Sequence, residues 1–253
     1  MFFYVILKYM NYIWGDFMRN FLIQTINGMV RHDFSFQLLE AIDYQNWYYN
    51  EKKYDYILSE TYKVENCIPV GSVEFVLSYL KKYYGIKEVK PINIPPEFIQ
   101  PTFLKRHIEI INTEKNPILI KDKPLFVKDN NKIKGFTDIV TDGSNLKGEF
   151  LVSELIDIES EWRAFVYDRR LVGLQNYAGD FTMFPNVDLI KEMIKCYTNC
   201  PPAYTLDIGL NVKDGTFLIE IHNFFSCGLY GFNDNRILPQ MFIRSFNYIL
   251  QNK

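Results

Sequence analysis

The chain has 253 residues, 48% of them hydrophobic, which is enough apolar material for one large core or for several small lobes. A net charge of −2 argues against a dedicated nucleic-acid binder, whose phosphate contacts demand a strong basic excess, so any anion site must be local. Four cysteines, Cys67, Cys196, Cys200 and Cys227, form neither a zinc-ribbon pair nor a disulfide framework, which points to a reducing, cytoplasmic setting.

In chain order, the opening run Met-Phe-Phe-Tyr-Val-Ile-Leu is too short to span a bilayer and lacks a signal-peptide cleavage site. Gly15-Asp16 can be encoded as a ribosome-binding sequence just before Met18. The expectation is that Met18 is the natural start and residues 1–17 a translated leader outside the fold. From Asn20 a first strand is expected, then a helix from Asp33 to about Trp47 and a weak strand at Tyr56-Ile57-Leu58. Ser72 is placed to cap a helix that runs through Tyr84 to Gly85, with Val73, Val76, Leu77, Leu80 and Tyr84 inward. Alternating strand and helix read as a small α/β lobe over residues 18–95, and the prolines Pro91, Pro95, Pro96 and Pro101 mark its boundary.

Beyond the boundary the period changes to two. Strands are expected at Ile118-Leu119-Ile120, at Pro124 to Lys128 and at Glu149 to Val152. Two more, Glu161 to Tyr167 and Arg170 to Leu174, flank an Asp168-Arg169 turn. A helix from about Val187 to Tyr197 and a last one from Pro239 to Leu250 complete the pattern. The lysines at 121, 123, 128, 132 and 134, with Lys105 and Arg106 upstream, form a local cationic focus suited to polyphosphate, although such clusters are often only solvated faces. Alternation puts Lys128 on the same face as Phe126, where its ammonium can act as a fixed point charge.

The stretch from Tyr204 to Gly231 is the richest in chemistry. Asp214-Gly215 between two alternating runs predicts a hairpin with a two-residue turn. That register sets Gly209 opposite Glu220 and Asp207 opposite His222. One face is then apolar (Leu210, Ile208, Val212, Phe217, Ile219 and Ile221), and the other holds two carboxylates beside open space. Two such carboxylates repel one another unless a hard divalent ion sits between them. The plain alternative is a half-solvated hairpin whose outer face is merely polar. Glu161 and Arg163 share a strand face, as a surface ion pair or as a guanidinium aimed into a cleft.

Taken together, Phe126-Val127-Lys128, Val152-Ser153-Glu154-Leu155-Ile156, Glu161-Trp162-Arg163, Leu206-Asp207-Ile208-Gly209 and Glu220-Ile221-His222-Asn223-Phe224-Phe225-Ser226-Cys227-Gly228-Leu229-Tyr230-Gly231 resemble an ATP-grasp ligase. The likeness is to the compact R-two-K clade of phages, mobile elements and their hosts. It covers roughly residues 68–232. The resemblance implies an α+β / α/β fold, with a small N-terminal α/β (pre-ATP-grasp) lobe and two later α+β lobes, at about 96–155 and 156–253, that clasp ATP. It also implies that Lys128, with Lys105 or Arg106, contacts the ATP phosphates and that Lys134 lies in a loop above them. Glu154, Leu155 and Ile156 would line the adenine hinge, Glu161 the ribose, and Arg163 the reacting phosphate or acceptor carboxylate. Asp207 and Glu220 would hold Mg²⁺. The family's Glu-x-Asn is here Glu220-x-His222, so the third ligand is either His222, a donor that suits Mn²⁺, or Asn223 turned inward by a bulge.

The implied reaction joins a carboxylate to an amine, on small-molecule or peptide substrates, with ATP converted to ADP and phosphate. A non-catalytic nucleotide-binding module and an aromatic-rich nucleic-acid binder are the competing readings.

Overall fold

The computed structural model describes residues 20–120 and 123–252; the expected leader, the Met18 start and Lys121 lie outside the described residues. The first sheet is parallel, in the order β2-β1-β3, with β1 at Asn20–Gln24, β2 at Asp55–Ser59 and β3 at Ile68–Val70. Phe21, Leu22 and Ile23 are consecutive and all fully buried, as expected of a parallel strand covered on both faces. Helix α1 (Asp33–Tyr49) and helix α2 (Val73–Tyr84) supply the cover. Ser72 caps α2 by accepting from the Phe75 N–H, and Gly85 ends it. Its buried stripe is Phe75, Val76, Tyr79 and Leu80, so Val73, Leu77 and Tyr84 are only partly covered, contrary to expectation. Tyr79 fixes this rotation, because its buried hydroxyl accepts from the Cys67 N–H at 2.9 Å.

The second sheet is antiparallel, in the order β4-β7-β5-β6, with β4 at Ile108–Asn112, β5 at Leu125–Asp129, β6 at Thr137–Val140 and β7 at Glu149–Glu154. A single turn of helix, α3 (Pro101–Leu104), precedes it. β6 is not marked in the sequence by alternation, and in β4 the alternation is only the short Ile108-Glu109-Ile110. The strand expected at Ile118-Leu119-Ile120 does not form. Ile118 instead plugs the small core of Val127, Phe150 and Val152, and Leu119 stands exposed.

The third sheet has the order β11-β10-β8-β9, with β8 at Ser160–Tyr167, β9 at Arg170–Gly179, β10 at Ala203–Asn211 and β11 at Gly215–Asn223. The β8–β9 turn is Asp168-Arg169, as read from the sequence, and both residues take the positive φ that a two-residue hairpin turn requires. One sheet face buries Tyr204, Leu206, Ile208, Leu210, Leu218 and Ile221. They pack on Ile190, Met193 and Ile194 of helix α4 (Val187–Cys196) and on Phe98 and Phe103. Each such aliphatic side chain contributes about 1.5–3 kcal/mol by leaving water.

The register of the Tyr204–Asn223 hairpin differs from the expected one. Asn211 pairs with Gly215, so the loop is the three residues 212–214, and Val212 is exposed. Asn211 imposes the longer loop: its side-chain oxygen accepts from the Asp214 N–H, and its amide donates to the Asp157 carbonyl. A β-bulge at Ile219 then shifts the pairing again, so Asp207 faces Glu220 and Thr205 faces His222. Gly209 lies opposite Phe217, not Glu220, and the space it leaves is filled by the Phe217 ring, which a Cβ at Gly209 would overlap. Phe217 is fully buried, so Gly209→Ala is expected to cost about 1–3 kcal/mol, read as a lowered urea midpoint with an unchanged slope.

The last helix, α5 (Leu238–Gln251), returns to the first sheet. Its Met241, Phe242, Ile243 and Phe246 share one core with Phe21, Leu38, Val76 and Tyr79. The Gln45 amide of α1 fastens the approach to α5 by donating to the Asn235 and Arg236 carbonyls.

Candidate active site

The second face of the third sheet is polar, and alternation aligns its side chains. Glu161 and Arg163 project from β8, Tyr177 from β9, Asp207 from β10, and Glu220 and His222 from β11. Arg163 makes a two-pronged pair with Asp207, Nε to Oδ1 and Nη2 to Oδ2, each 2.8 Å, with both residues buried. His222 Nε2 stands 3.1 Å from Asp207 Oδ2 and 3.1 Å from Glu220 Oε1. Lys128, reaching across from β5, closes the row on Glu220 Oε2.

Charge alternates along the row, and this sets its ionisation. Burial opposes charge on Asp207, but the Arg163 and His222 contacts outweigh it and hold the carboxyl below its ordinary range. Burial also opposes charge on Glu220, yet His222 and Lys128 bring it down to about 2. The His222 imidazole is penalised by burial and rescued by Asp207 and Glu220, ending at about 9.

Three ligand atoms, one each from Asp207, Glu220 and His222, lie within 4.8 Å of one another. Two carboxylate oxygens and an imidazole nitrogen at this spacing fit a divalent ion, and the imidazole favours Mn²⁺ over Mg²⁺. Asn223 is not brought to this group: its amide donates to the Lys90 carbonyl.

A cleft of about 750 Å³ opens between the second sheet and the β10–β11 turn of the third, and none of the row residues lines it. Lys105, Arg106, Lys123 and Leu125 line it together with Glu154, Leu155 and Ile156, which connect β7 towards β8. Lys128 in the row stands three positions along β5 from Leu125 in the cleft, about 10 Å at ~3.3 Å per residue. The Glu154 carboxylate accepts from the His107 N–H, and Leu155 is exposed at the mouth.

Arg106 is engaged at one end. Its guanidinium donates to Ser153 Oγ and to the carbonyls of Leu104, Leu218 and Ile219. The last two carbonyls flank the bulge, so Arg106 ties the second sheet to the strand that bears Glu220. Burial lowers its pKa to about 10, while Glu220 opposes the shift.

Lys134 extends from the β5–β6 loop of the second sheet to Glu74 of α2, which covers the first sheet, in an exposed pair at 2.9 Å. The Glu161 carboxylate accepts from the Tyr177 hydroxyl at 2.6 Å. The Tyr177 ring stacks on Tyr230, centroids 4.9 Å apart, and the Arg163 guanidinium lies 5.0 Å from the Tyr230 ring. Gly228, whose carbonyl accepts from Arg163 Nη1, and Tyr230 stand in the run that carries the family resemblance and Asp33 at the expected start of a helix, but the sequence assigns none of the three to the site. Asp33 bonds across 196 positions, a separation for which no local pattern gives a signal.

Among the described residues no helix is long and apolar enough to cross a membrane. No curated protein matches the chain. The fold is similar to that of D-alanine–D-alanine ligase from Bacillus anthracis complexed with ATP, at 12% identity and TM-score 0.50 over 93% of this chain and 99% of that one. It is also similar to N5-carboxyaminoimidazole synthetase from Staphylococcus aureus, at 11% identity and TM-score 0.50 over 80% of this chain and 69% of that one. Residues 103–239, more than half of the chain and including β4 to β11, match the family model of the ATP-grasp domain, R-two-K clade family 2. With its ATP-grasp fold and that match, the chain belongs to the R-two-K clade of the ATP-grasp superfamily.

Proposed function

We propose that the chain is an ATP-dependent ligase that joins a carboxylate to an amine through an acyl phosphate, with Mg²⁺ or Mn²⁺ as its metal. The observation that carries this reading is the charged row itself, Lys128, Glu220, His222, Asp207 and Arg163, tied to the cleft wall through Arg106, which donates to the Leu218 and Ile219 carbonyls just before Glu220. Two proteins of the same fold are a ligase and a synthetase, which supports the reaction class.

In this reading Glu154, Leu155 and Ile156 receive the adenine, with Glu161 towards the ribose. Lys105 and Lys128 meet the phosphates as point charges, and Arg106 holds the cleft wall in register. Asp207, Glu220 and His222 hold the metal. A divalent ion there would neutralise charge on the phosphate oxygens during transfer. Arg163, on the same face and paired with Asp207, is placed to meet the acyl phosphate or the acceptor carboxylate. Lys134 leaves Glu74 to cover the phosphates, and the exposure of that pair makes its release cheap.

The bonds balance without a protein nucleophile. A substrate carboxylate oxygen attacks the γ-phosphorus and ADP leaves. The amine then attacks the acyl carbon, phosphate departs, and the amine gives up one proton.

The substrates are small molecules or peptides, and the expected compartment is the cytoplasm. The test is release of ADP and phosphate across a panel of amino acids and short peptides with Mg²⁺ or Mn²⁺. Equal, acceptor-dependent release of both is expected. Tight ATP binding with no turnover under any acceptor would instead assign a non-catalytic nucleotide-binding module. Salt-sensitive oligonucleotide binding without ATP would assign the nucleic-acid reading.

A further inference from the structure

The run Phe224-Phe225-Ser226-Cys227-Gly228-Leu229-Tyr230-Gly231 follows β11 and belongs to no helix or strand. Its backbone is bent against ordinary preference: Ser226 has φ 52° and Tyr230 φ 50°, in the left-handed region that non-glycine residues rarely adopt. Such conformations persist where neighbours over-determine them. Here the neighbours come from the first lobe. Ser226 Oγ donates to the Gly71 carbonyl at 2.7 Å, at the turn before α2. The Asp33 carboxylate, at the first residue of α1, accepts from the Leu229 N–H at 2.6 Å and the Tyr230 N–H at 3.1 Å through one oxygen. Its other oxygen takes the Phe34 N–H.

Between these two anchors the loop presents two groups to Arg163. The Gly228 carbonyl accepts from Nη1 at 3.1 Å, and the Tyr230 ring lies under the guanidinium, backed by Tyr177. Gly228 is the residue that permits this, since a Cβ there would meet the Tyr230 ring at 2.9 Å. Burial raises the Tyr177 pKa, and the Asp207 charge adds to it, so its hydroxyl stays protonated on Glu161. Arg163 is therefore held from three sides: by Asp207 below, by the tyrosine pair on its face, and by the Gly228 carbonyl at its tip.

We propose that the 224–231 loop is a positioning device for Arg163 and that Asp33, in the first lobe, is the positioning residue that sets it. The proposal rests on the ligase reading for the role of Arg163, and it adds a link from the first lobe to that residue. Asp33 is exposed, so its carboxylate contributes position more than stability. The carbonyl and the ring hold the guanidinium over the polar face independently of the Asp207 carboxylate, which would also be a ligand of a bound metal.

The experiment compares Asp33→Ala and Asp33→Asn with the wild-type chain. Hydrogen exchange of the 226–231 peptide tests the anchor without any ligand: Ala is expected to raise exchange at the Leu229 and Tyr230 amides at least about 10-fold, while Asn, which keeps an acceptor oxygen, stays within about threefold of wild type. MgADP binding by calorimetry is expected within about twofold of wild type in both, since Asp33 is not among the residues that line the cleft. ADP release under the best acceptor of the amino-acid panel is expected to fall at least about 10-fold in kcat for Ala and to be largely restored in Asn. Unchanged exchange in Asp33→Ala overturns the anchor. A loss of MgADP binding that matches the loss of turnover overturns the link to Arg163. A wild-type chain that shows no turnover, with exchange behaving as expected, leaves the anchor standing and removes the ligase reading on which its purpose rests.

Discussion

Asp207→Ala is expected to lose at least about 100-fold in turnover and about 3–5 kcal/mol of stability. Arg163 and Asp207 are 7% and 4% exposed, so removing the carboxylate leaves a guanidinium buried without its partner. Burial disfavours charge on Arg163, yet the Asp207 contacts raise its pKa above the ordinary value. In Asp207→Ala the burial penalty is set only against the Gly228 carbonyl and the faces of Tyr177 and Tyr230. The check is urea unfolding beside the turnover assay. A double variant, Arg163→Met with Asp207→Leu, separates the two losses. An apolar pair of similar volume should recover most of the stability and none of the turnover. Recovery of turnover in that double variant would remove both residues from the chemistry.

His222→Asn is the second large effect, and it concerns the metal. An imidazole at the third ligand position favours Mn²⁺, whereas an amide oxygen suits Mg²⁺. Titration of the nucleotide-free chain by Mn²⁺ electron paramagnetic resonance should show the variant binding at least about 10-fold more weakly. Mg²⁺ affinity by calorimetry should change less than about threefold. Equal Mn²⁺ affinity in the two chains would place His222 outside the coordination sphere and leave it as a clamp between Asp207 and Glu220.

The polar row was legible because of parity. The expected register set Asp207 opposite His222, and the observed one sets it opposite Glu220, a slip of two residues on the partner strand. A slip of two keeps every side chain on its face, so Asp207, Glu220 and His222 remained together although the pairing was misread. Nearer the turn the register differs by an odd step, because the Ile219 bulge adds one residue. There Phe217 passes to the polar side beneath Gly209, and Leu218 takes its place in the apolar core. The bulge left no local mark: its cause is the Asn211 loop at one end and Arg106, 112 and 113 positions upstream, gripping the Leu218 and Ile219 carbonyls.

Helices and caps were readable for the opposite reason. Ser72, Val73 to Tyr84 and Gly85 act on neighbours in sequence, so composition alone marks both ends of α2. Its rotation was not readable, being set by the bond from Cys67 to Tyr79. Lys128 was singled out by alternation, but its partner Glu220 lies 92 positions away. Lys134 was placed in a loop above the phosphates, and its contact with Glu74, 60 positions upstream, could not be foreseen from the basic run.

The packing of α5 against the first sheet has a consequence for how the chain is made. Phe21 and Tyr79 share a core with Phe242 and Phe246, and Gln45 donates to carbonyls 190 and 191 positions away. A ribosome delivers about 5–20 residues per second, so the first lobe spends roughly ten seconds or more with one side of its core uncovered. Closing that side requires contacts of very high sequence separation, which form slowly. Until its last helix arrives, the nascent N-terminal part therefore exposes apolar surface of the kind that chaperones bind, and its final packing is an event that follows synthesis.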